Sequence, residues 1–424
     1  MKIIIHRGAG ETGGNCIELV SGKSRILLDY GAPVGASPEE SILNIPGLYD
    51  DKVSHPILAI LISHTHLAHY GALLAKPVNP GIKVFMTEIM EDMTRINAKM
   101  PREYKKLSEN IHYFRKGHKF IVGRFVITPF LMDHTAAESF AFLVESEGKR
   151  IIYTGDFRAH GNKANAFKQF LAVNMGPIDA LITEGTQAGM EKGPGEQEVM
   201  EHLEPMVKDT PGAVYFMCPG QDIALLTSLA TLAKNTRRYL VVDGYTVLVL
   251  ERLKALAQKQ GVELKIPGLD TEYLRIVRNA ATQRIYQLTE YAETFRRMRP
   301  MLFGWDWVND NLRKIIVPVR ANSQLWVDEQ IKDFGHAAFV YSEWESYDDE
   351  PGMRETLKWF KAQRMAAIPL PSSGHAYFYA IRKLVENKKP RYIIPVNTAD
   401  PEKFASTFGK RARLLKDGEE FTLD

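Results

Sequence analysis

A histidine-rich segment directly after an apolar run is the feature that most restricts how this chain can fold. Residues 64–69 read His-Thr-His-Leu-Ala-His, and they follow the uninterrupted apolar run of residues 57–62. Such a run predicts a buried strand, so the imidazoles stand in the loop at its end. Imidazoles two and five positions apart can converge on an ion where the backbone turns tightly after a strand. The segment therefore predicts a metal site at the edge of a buried sheet.

Length and composition restrict the class of protein. A chain of 424 residues predicts two or three domains, and 45% hydrophobic with 25% charged residues are the fractions of an ordinary soluble globular protein. The net charge of +3 is too small to indicate nucleic-acid binding by itself, and only two cysteines are present, which argues against a disulfide framework. Because we find neither a signal peptide nor an apolar stretch that could span a bilayer, we expect a cytoplasmic protein with no membrane partner.

The distribution of strand and helix patterns divides the chain into three stretches. Residues 1–195 are rich in short strands. Residues 196–365 alternate longer helices and strands, which is typical of a mainly parallel sheet covered by helices, and one long helix is expected at 270–298. Residues 366–424 return to the first pattern. We therefore expect one domain, formed by the first and last stretches, that is split by the insertion of another.

Further candidate metal ligands stand where other apolar runs end. Asp29, His134 and Asp156 each follow such a run. A single histidine in this position is usually structural, but a cluster of three together with a fourth histidine and an aspartate favours a metal site. A set of imidazole and carboxylate ligands suits zinc, or manganese when carboxylate and water dominate.

The order of these motifs resembles the metallo-β-lactamase fold and, within it, the β-CASP nucleases, most of all the ribonuclease J-like hydrolases. The matching segments are His6-Arg7-Gly8, Leu28-Asp29-Tyr30-Gly31, Ser63-His64-Thr65-His66, His69-Tyr70-Gly71, Asp133-His134-Thr135, Thr154-Gly155-Asp156-Phe157-Arg158, Glu184-Gly185-Thr186 and Ser373-Gly374-His375. They cover the chain nearly end to end, in the family's order. The resemblance implies an α/β fold, namely an αββα sandwich with an inserted α/β β-CASP domain at residues 196–365.

Carried over to this sequence, the family's ligand positions form two metal sites that share a bridging carboxylate. The expected ligands of the first ion are His64, His66 and His134. The second ion would keep His69, and Asp156 would bridge both ions. Asp29 matches a residue that orients the metal-binding loop and does not bind metal itself.

Two positions of the second site depart from the family pattern. The family has an aspartate where Ala68 stands and usually a histidine where Asn397 stands. Since a second ion stabilises charge that develops during hydrolysis, we expect one firmly bound zinc or manganese ion and weak or absent activity. Three explanations stay open: the lineage works with one metal, it no longer needs catalysis, or Ala68 is a laboratory substitution.

The resemblance also assigns residues to catalysis and substrate binding. Glu184 matches the first β-CASP motif, and His375 belongs to the second, where it contacts the phosphate being cut. Further substrate contacts are expected from Arg158, Gln221, Ser373 and Gly374.

The segment from residue 95 to 119 is a candidate surface for nucleic acid. It contains eight Lys or Arg, interleaved with Tyr104, Tyr113 and Phe114. Basic side chains neutralise phosphates and aromatic rings stack on bases. An ordinary solvated helix and loop is the alternative explanation for the same composition.

Together these features predict a ribonuclease J-like phosphodiester hydrolase that acts on single-stranded RNA, with DNA as the other candidate substrate. A catalytically silent nucleic-acid-binding or regulatory protein is the first alternative. A single-metal hydrolase of small molecules is the second. A homodimer is left open.

Overall fold

The structure, a computed structural model, describes residues 1–50, 53–99, 107–261, 263–279, 283, 285–341, 351–370 and 374–424. The chain divides into unit 1, which is Met1–Gly193 with Ser373–Asp424, and unit 2, which is Pro194–Ser372. Each unit has its own sheets.

The strands, in chain order, are β1 (Lys2–Arg7), β2 (Cys16–Ser21), β3 (Ser24–Leu28), β4 (Ile57–Leu61), β5 (Lys83–Met86), β6 (Ile111–Tyr113), β7 (Phe120–Val122), β8 (Phe125–Leu131), β9 (Phe140–Ser146), β10 (Lys149–Tyr153), β11 (Ala180–Glu184), β12 (Val214–Met217), β13 (Tyr239–Asp243), β14 (Leu274–Val277), β15 (Ile315–Val319), β16 (Ala338–Tyr341), β17 (Ala366–Pro369), β18 (Tyr392–Val396) and β19 (Glu420–Thr422).

The α-helices are α1 (Leu67–Ala75), α2 (Glu88–Ala98), α3 (Ala164–Ala172), α4 (Glu196–Asp209), α5 (Ile223–Asn235), α6 (Gly244–Lys259), α7 (Ala292–Met298), α8 (Trp305–Asp310), α9 (Gln324–Gln330), α10 (Pro351–Ala362), α11 (Phe378–Lys388) and α12 (Glu402–Phe408). Within the described ranges, no helix is both long enough and apolar enough to cross a bilayer.

Unit 1 is built on two sheets. The strand order is β19-β1-β2-β3-β4-β5-β6 in the first and β18-β11-β10-β9-β8-β7 in the second. The strands from β3 to β6 pair in parallel, as do β10, β11 and β18, whereas β7 to β10 pair antiparallel. Because β18 comes from the C-terminal stretch, the end of the chain completes a sheet that the first part begins.

The two sheets of unit 1 pack face to face through one apolar core. Ile60 of the first sheet and Phe142 of the second belong to the same buried cluster, which Tyr70 of α1 joins. Side chains on the opposite face of the second sheet pack with Phe167 of α3 and Ile381 of α11. Full burial of a side chain as large as Phe142 stabilises the fold by about 1.5–3 kcal/mol. The layers are helix, sheet, sheet, helix, so the predicted αββα sandwich is confirmed.

Unit 2 contains a parallel six-stranded sheet with the order β14-β13-β15-β12-β16-β17. Two expectations from the sequence need correction here. The segment 270–298 is not one helix, because it contains β14, whose backbone hydrogen bonds are taken by β13. The boundary expected at residue 365 would leave β17 outside unit 2. However, β17 pairs with β16 and therefore belongs to that unit.

Candidate metal centre

The ends of several strands in unit 1 bring polar side chains from distant parts of the chain together. The side chains at or just after these strand ends are Asp29, His64, His134, Asp156, Glu184 and Asn397. The first two follow strands of the seven-stranded sheet. Of the other four, Glu184 ends a strand of the six-stranded sheet and the rest follow strands of that sheet. The site therefore depends on both sheets of the sandwich.

Three imidazoles form the centre of this site. The nitrogens of His64, His66 and His134 that could bind an ion all lie within 4.8 Å of one another. His66 Nδ1 is 3.0 Å from His134 Nε2. His64 is fully buried, and its Nε2 has no hydrogen-bonding partner among the described residues. Buried polar atoms are normally paired, so a buried nitrogen in this state suits a metal ligand.

Burial keeps the three imidazoles neutral. It lowers the pKa of His66 to about 3, and it lowers the pKa values of His64 and His134 well below the ordinary 6.5, with neighbouring histidines adding to the effect. The carbonyl oxygen of Gly374 lies 2.7 Å from His134 Nδ1, so this nitrogen donates and Nε2 keeps its lone pair. Since neutral imidazole is the form that binds metal, the three rings fit a divalent ion.

His69 differs from the other three histidines because two carboxylates hold it. Its Nδ1 lies 2.7 Å from Asp29 Oδ2, and its Nε2 lies 2.9 Å from Asp156 Oδ2. Burial opposes a charge on this ring, but Asp156 and Asp29 outweigh it and raise the pKa of His69 to about 10. Burial also acts to raise the pKa of Asp156, yet His69 and His375 hold that pKa well below its usual range. His69 therefore donates from both nitrogens to carboxylate oxygens.

Asp29 connects the loop that carries the histidines to the second sheet. Besides His69, it accepts hydrogen bonds from the backbone N and the Oγ of Ser63, both at 2.7 Å, and from the hydroxyl of Tyr153 at 2.6 Å. Its φ of 60° lies in the left-handed region, which aspartate tolerates better than most residues. This conformation turns the chain sharply after β3.

Glu184 and His375 form a pair beside Asp156. His375 Nδ1 donates to Glu184 Oε2 at 2.9 Å and lies 3.7 Å from Asp156 Oδ2. Glu184 Oε1 accepts from the backbone N of Phe157 at 2.7 Å, and burial raises the pKa of this carboxyl. Burial opposes the charge on His375, but Glu184 and Asp156 together raise its pKa. The side chain of His375 keeps 13% of its surface exposed, so it can meet a ligand from solvent.

Ala68 and Asn397 are the two positions where the sequence departs from the expected ligand pattern. Ala68 has no ligand atom in its side chain. Asn397 donates from Nδ2 to Asp156 Oδ1 at 2.8 Å, and its Oδ1 accepts from the backbone N of Gly13 at 2.7 Å. The amide oxygen, the atom that could bind a metal, is therefore engaged elsewhere.

The residues predicted to contact substrate lie in different parts of the structure. Arg158 is only 2% exposed and its Nε lies 3.4 Å from Asp133 Oδ1, so it forms a buried ion pair. Its contact with substrate stays a prediction. Gln221 lies in unit 2, before α5. Gly374 supports His134 through its carbonyl oxygen. Ser373 lies outside the described residues.

The aromatic residues of the candidate surface for nucleic acid differ in their exposure. Residues 100–106 lie outside the described residues, and they include Tyr104. Phe114 is 4% exposed and packs in the core, so it cannot stack on a base there. Tyr113 is 55% exposed and is available for such a contact.

Asn15 is a site residue that the sequence analysis missed. Its Nδ2 lies 3.3 Å from His69 Nε2, and its backbone N donates to the carbonyl oxygen of Ala68 at 2.9 Å. Asn15 stands in a loop before β2, where no spacing pattern connects it to the histidines. Nothing in the sequence could have indicated this contact.

Comparison with known proteins agrees with the geometry of unit 1. The family described as "Beta-lactamase superfamily domain" matches residues 25–216. "Probable RNase MJ4" of Methanocaldococcus jannaschii is 30% identical over 205 residues, which are 44% of this chain and 45% of that protein. "Ribonuclease J" of Sinorhizobium meliloti is 25% identical over 191 residues, which are 44% of this chain and 34% of that protein. The matched region thus spans less than half the length of these relatives.

A solved structure extends the likeness to the whole chain. The "Crystal Structure of a Protein of Unknown Function from Enterococcus faecalis V583" superimposes with a TM-score of 0.73 at 18% sequence identity, and the match covers 99% of both chains. At this identity the likeness shows the fold alone. Residues 25–216 thus match the β-lactamase superfamily, and the chain is similar to ribonuclease J-like proteins.

Proposed function

We propose that the chain is a metal-dependent hydrolase that cleaves phosphodiester bonds of single-stranded RNA and works with one firmly bound zinc or manganese ion. The observation that carries this proposal is the group of His64, His66 and His134, whose ligand nitrogens lie within 4.8 Å of one another and whose lowered pKa values keep the rings neutral. Two of the three rings are buried and His66 is half-buried. The relatives named ribonuclease J support RNA as the substrate. A cytoplasmic location and a homodimer stay expectations.

The neighbouring residues support hydrolysis at this position. A bound divalent ion polarises a phosphoryl oxygen and makes water more acidic. Asp156 stands beside the histidine group, with Oδ2 3.8 Å from His64 Nε2, and its lowered pKa keeps it ionised, which suits a carboxylate that would hold a cation. His375 donates from Nδ1 to Glu184, and its partly exposed ring is in a position to contact a phosphate. The raised pKa of His375 favours a proton on that ring, which suits contact with an anionic substrate.

The second candidate is a catalytically silent RNA-binding protein with the same fold. Ala68 and the engaged amide of Asn397 favour it, because neither provides a ligand for a second ion. Losing an ion from a two-metal centre removes positive charge where negative charge develops in the transition state, and one such interaction is worth several kcal/mol.

Cleavage of 5′-labelled single-stranded RNA by the unchanged chain, with added manganese or zinc, tests the proposal. We expect cleavage that falls by roughly 100-fold or more in His64→Ala, in line with the loss of a transition-state contact. His202→Ala is the matched control, because His202 is exposed on α4 and lies outside both the histidine group and residues 95–119. RNA binding without cleavage in either metal would support the silent protein instead. Hydrolysis of a simple ester without RNA affinity would support a small-molecule hydrolase.

A further inference from the structure

The side chain of Asn397 is hydrogen-bonded to Asp156, the carboxylate that is expected to bridge two ions. Asn397 follows β18 and is 3% exposed. Its Nδ2 donates to Asp156 Oδ1 at 2.8 Å, and its Oδ1 accepts from the backbone N of Gly13 at 2.7 Å. A carboxylate only accepts and a backbone N–H only donates, so these two partners determine which end of the amide faces which. Asn397 thus directs a donor at the carboxylate that would bridge two ions.

The backbone of Asn397 is held by the same surroundings. Its N donates to the carbonyl oxygen of Gly8 at 2.8 Å, and its own carbonyl oxygen accepts from Thr186 Oγ1 at 2.9 Å. Its φ of 51° is left-handed, a region that asparagine enters more readily than most side chains do. The amide therefore cannot turn its oxygen toward an ion unless the bond to Gly13 breaks.

Ala68 and Asn15 lie beside His69, which also contacts Asp156. A methyl group added at Gly13 would lie 3.6 Å from the Cβ of Ala68, which is ordinary van der Waals contact, so the two loops approach closely there. Asn15 Nδ2 lies 3.3 Å from His69 Nε2, the nitrogen that would bind a second ion. The same His69 nitrogen already lies 2.9 Å from Asp156 Oδ2.

We propose that this chain replaces its second metal ion with the amide of Asn397, which acts as a positioning residue for Asp156. The amide hydrogens carry positive partial charge, so they neutralise part of the carboxylate and repel a cation at the same oxygen. An aspartate restored at position 68 is therefore not sufficient for a second ion. This inference rests on the metal centre of the proposed function and does not depend on the substrate.

The number of manganese ions bound per chain tests this inference. We compare the unchanged chain, Ala68→Asp and Ala68→Asp/Asn397→His after equilibration with Mn²⁺ and removal of excess metal, using plasma mass spectrometry. Histidine tolerates left-handed backbone and provides a ligand nitrogen. We expect Ala68→Asp to bind as many ions as the unchanged chain, and the double variant to bind one more. An additional ion in Ala68→Asp alone, or two ions in the unchanged chain, would overturn the inference.

A second double variant protects the test against misfolding. Ala68→Asp/Asn397→Gly removes the amide, while glycine adopts a φ of 51° without strain. Circular dichroism shows which variants are folded, and each folded double variant should bind the additional ion. If neither does, Asn397 is not what prevents binding. Because RNA is not part of this measurement, a failure here leaves RNA cleavage to be judged by its own assay, although two ions in the unchanged chain would also remove the single ion from the proposed function. A chain that never cleaves RNA leaves the ion counts intact.

Discussion

At the scale of single residues, Asp29 holds the loop that carries the histidines through hydrogen bonds. It accepts hydrogen bonds from two atoms of Ser63, from Tyr153 and from His69, and it is completely buried. A carboxylate can accept all of these bonds because its two oxygens offer about four lone-pair positions. Asp29 thereby sets the orientation of the loop that carries the histidines.

Asp29→Asn should destabilise the protein although it hardly changes the shape of the side chain. Asparagine also tolerates a φ near 60°, so the change replaces one acceptor oxygen by a donor that faces other donors. We expect the free energy of unfolding to fall by about 1–3 kcal/mol, the usual cost of an unsatisfied buried polar group. Urea denaturation measures this free energy of unfolding. The exposed Asp310→Asn is the control and should change stability by less than about 0.5 kcal/mol.

His66→Ala should weaken metal binding strongly. The change removes one of the three clustered imidazoles. Loss of a residue that merely supports a ligand costs about 10–100-fold in metal affinity, so loss of a ligand should exceed that range. Competition with a chromogenic chelator measures the affinity, and His118→Ala serves as the comparison. Equal affinities of the two variants would exclude His66 as a ligand.

At the scale of secondary-structure elements, α3 and α11 are joined by a buried lysine. Lys388 at the end of α11 is 8% exposed, and its Nζ donates to the carbonyl oxygens of Phe170, Leu171 and Val173 at 2.9, 3.0 and 2.8 Å. The last carbonyls of a helix have no partner within it, and a cation is favourable at that end. This contact fixes the helix that stands between His375 and β18.

Lys388→Ala should therefore destabilise unit 1. The change leaves the carbonyl groups at the end of α3 without their donor, which costs about 1–3 kcal/mol for buried groups. Lys383→Ala, an exposed lysine on the same helix, should change stability by less than about 0.5 kcal/mol. Thermal unfolding gives the melting temperatures of both variants, which are then compared. Identical melting temperatures would show that water replaces the lysine without cost.

At the scale of the whole molecule, the charge states of the buried histidines should control how stability depends on pH. In the metal-free protein, the pKa values of His64, His66 and His134 lie below 6.5, to about 3 for His66. The unfolded chain therefore binds more protons across that window, and stability rises with pH. The pKa of His69 is raised to about 10, so its contribution is complete below 6.5 and is lost as pH rises toward 10.

We accordingly expect the metal-free protein to be most stable near neutral pH. Thermal unfolding at about pH 5, 7 and 9 should give the highest melting temperature at the middle value, since acid protonates the buried histidines and alkali removes the proton of His69. His66→Ala should reduce the loss on the acid side, because one of the three neutral rings is gone. A melting temperature that is unchanged between about pH 5 and 7 would contradict this account.

Much of the architecture could be predicted because its signals are local. Apolar runs such as residues 57–62 indicate buried strands wherever they occur, and the spacing of the histidines in residues 64–69 indicates a metal site within one loop. The order of motifs along the chain resembled one family, and the sandwich followed from it. The group of His64, His66 and His134 lies where those motifs meet.

The sequence by itself thus determined the fold class and the residue types at the metal centre, because strand patterns and ligand spacing are properties of short segments. Only the tertiary structure decided the partners: Arg158 is buried against Asp133, and the amide of Asn397 faces Asp156. It also decided that β14 is a strand. Such contacts join residues far apart in the chain, so their geometry depends on how the sheets pack, which no local pattern records.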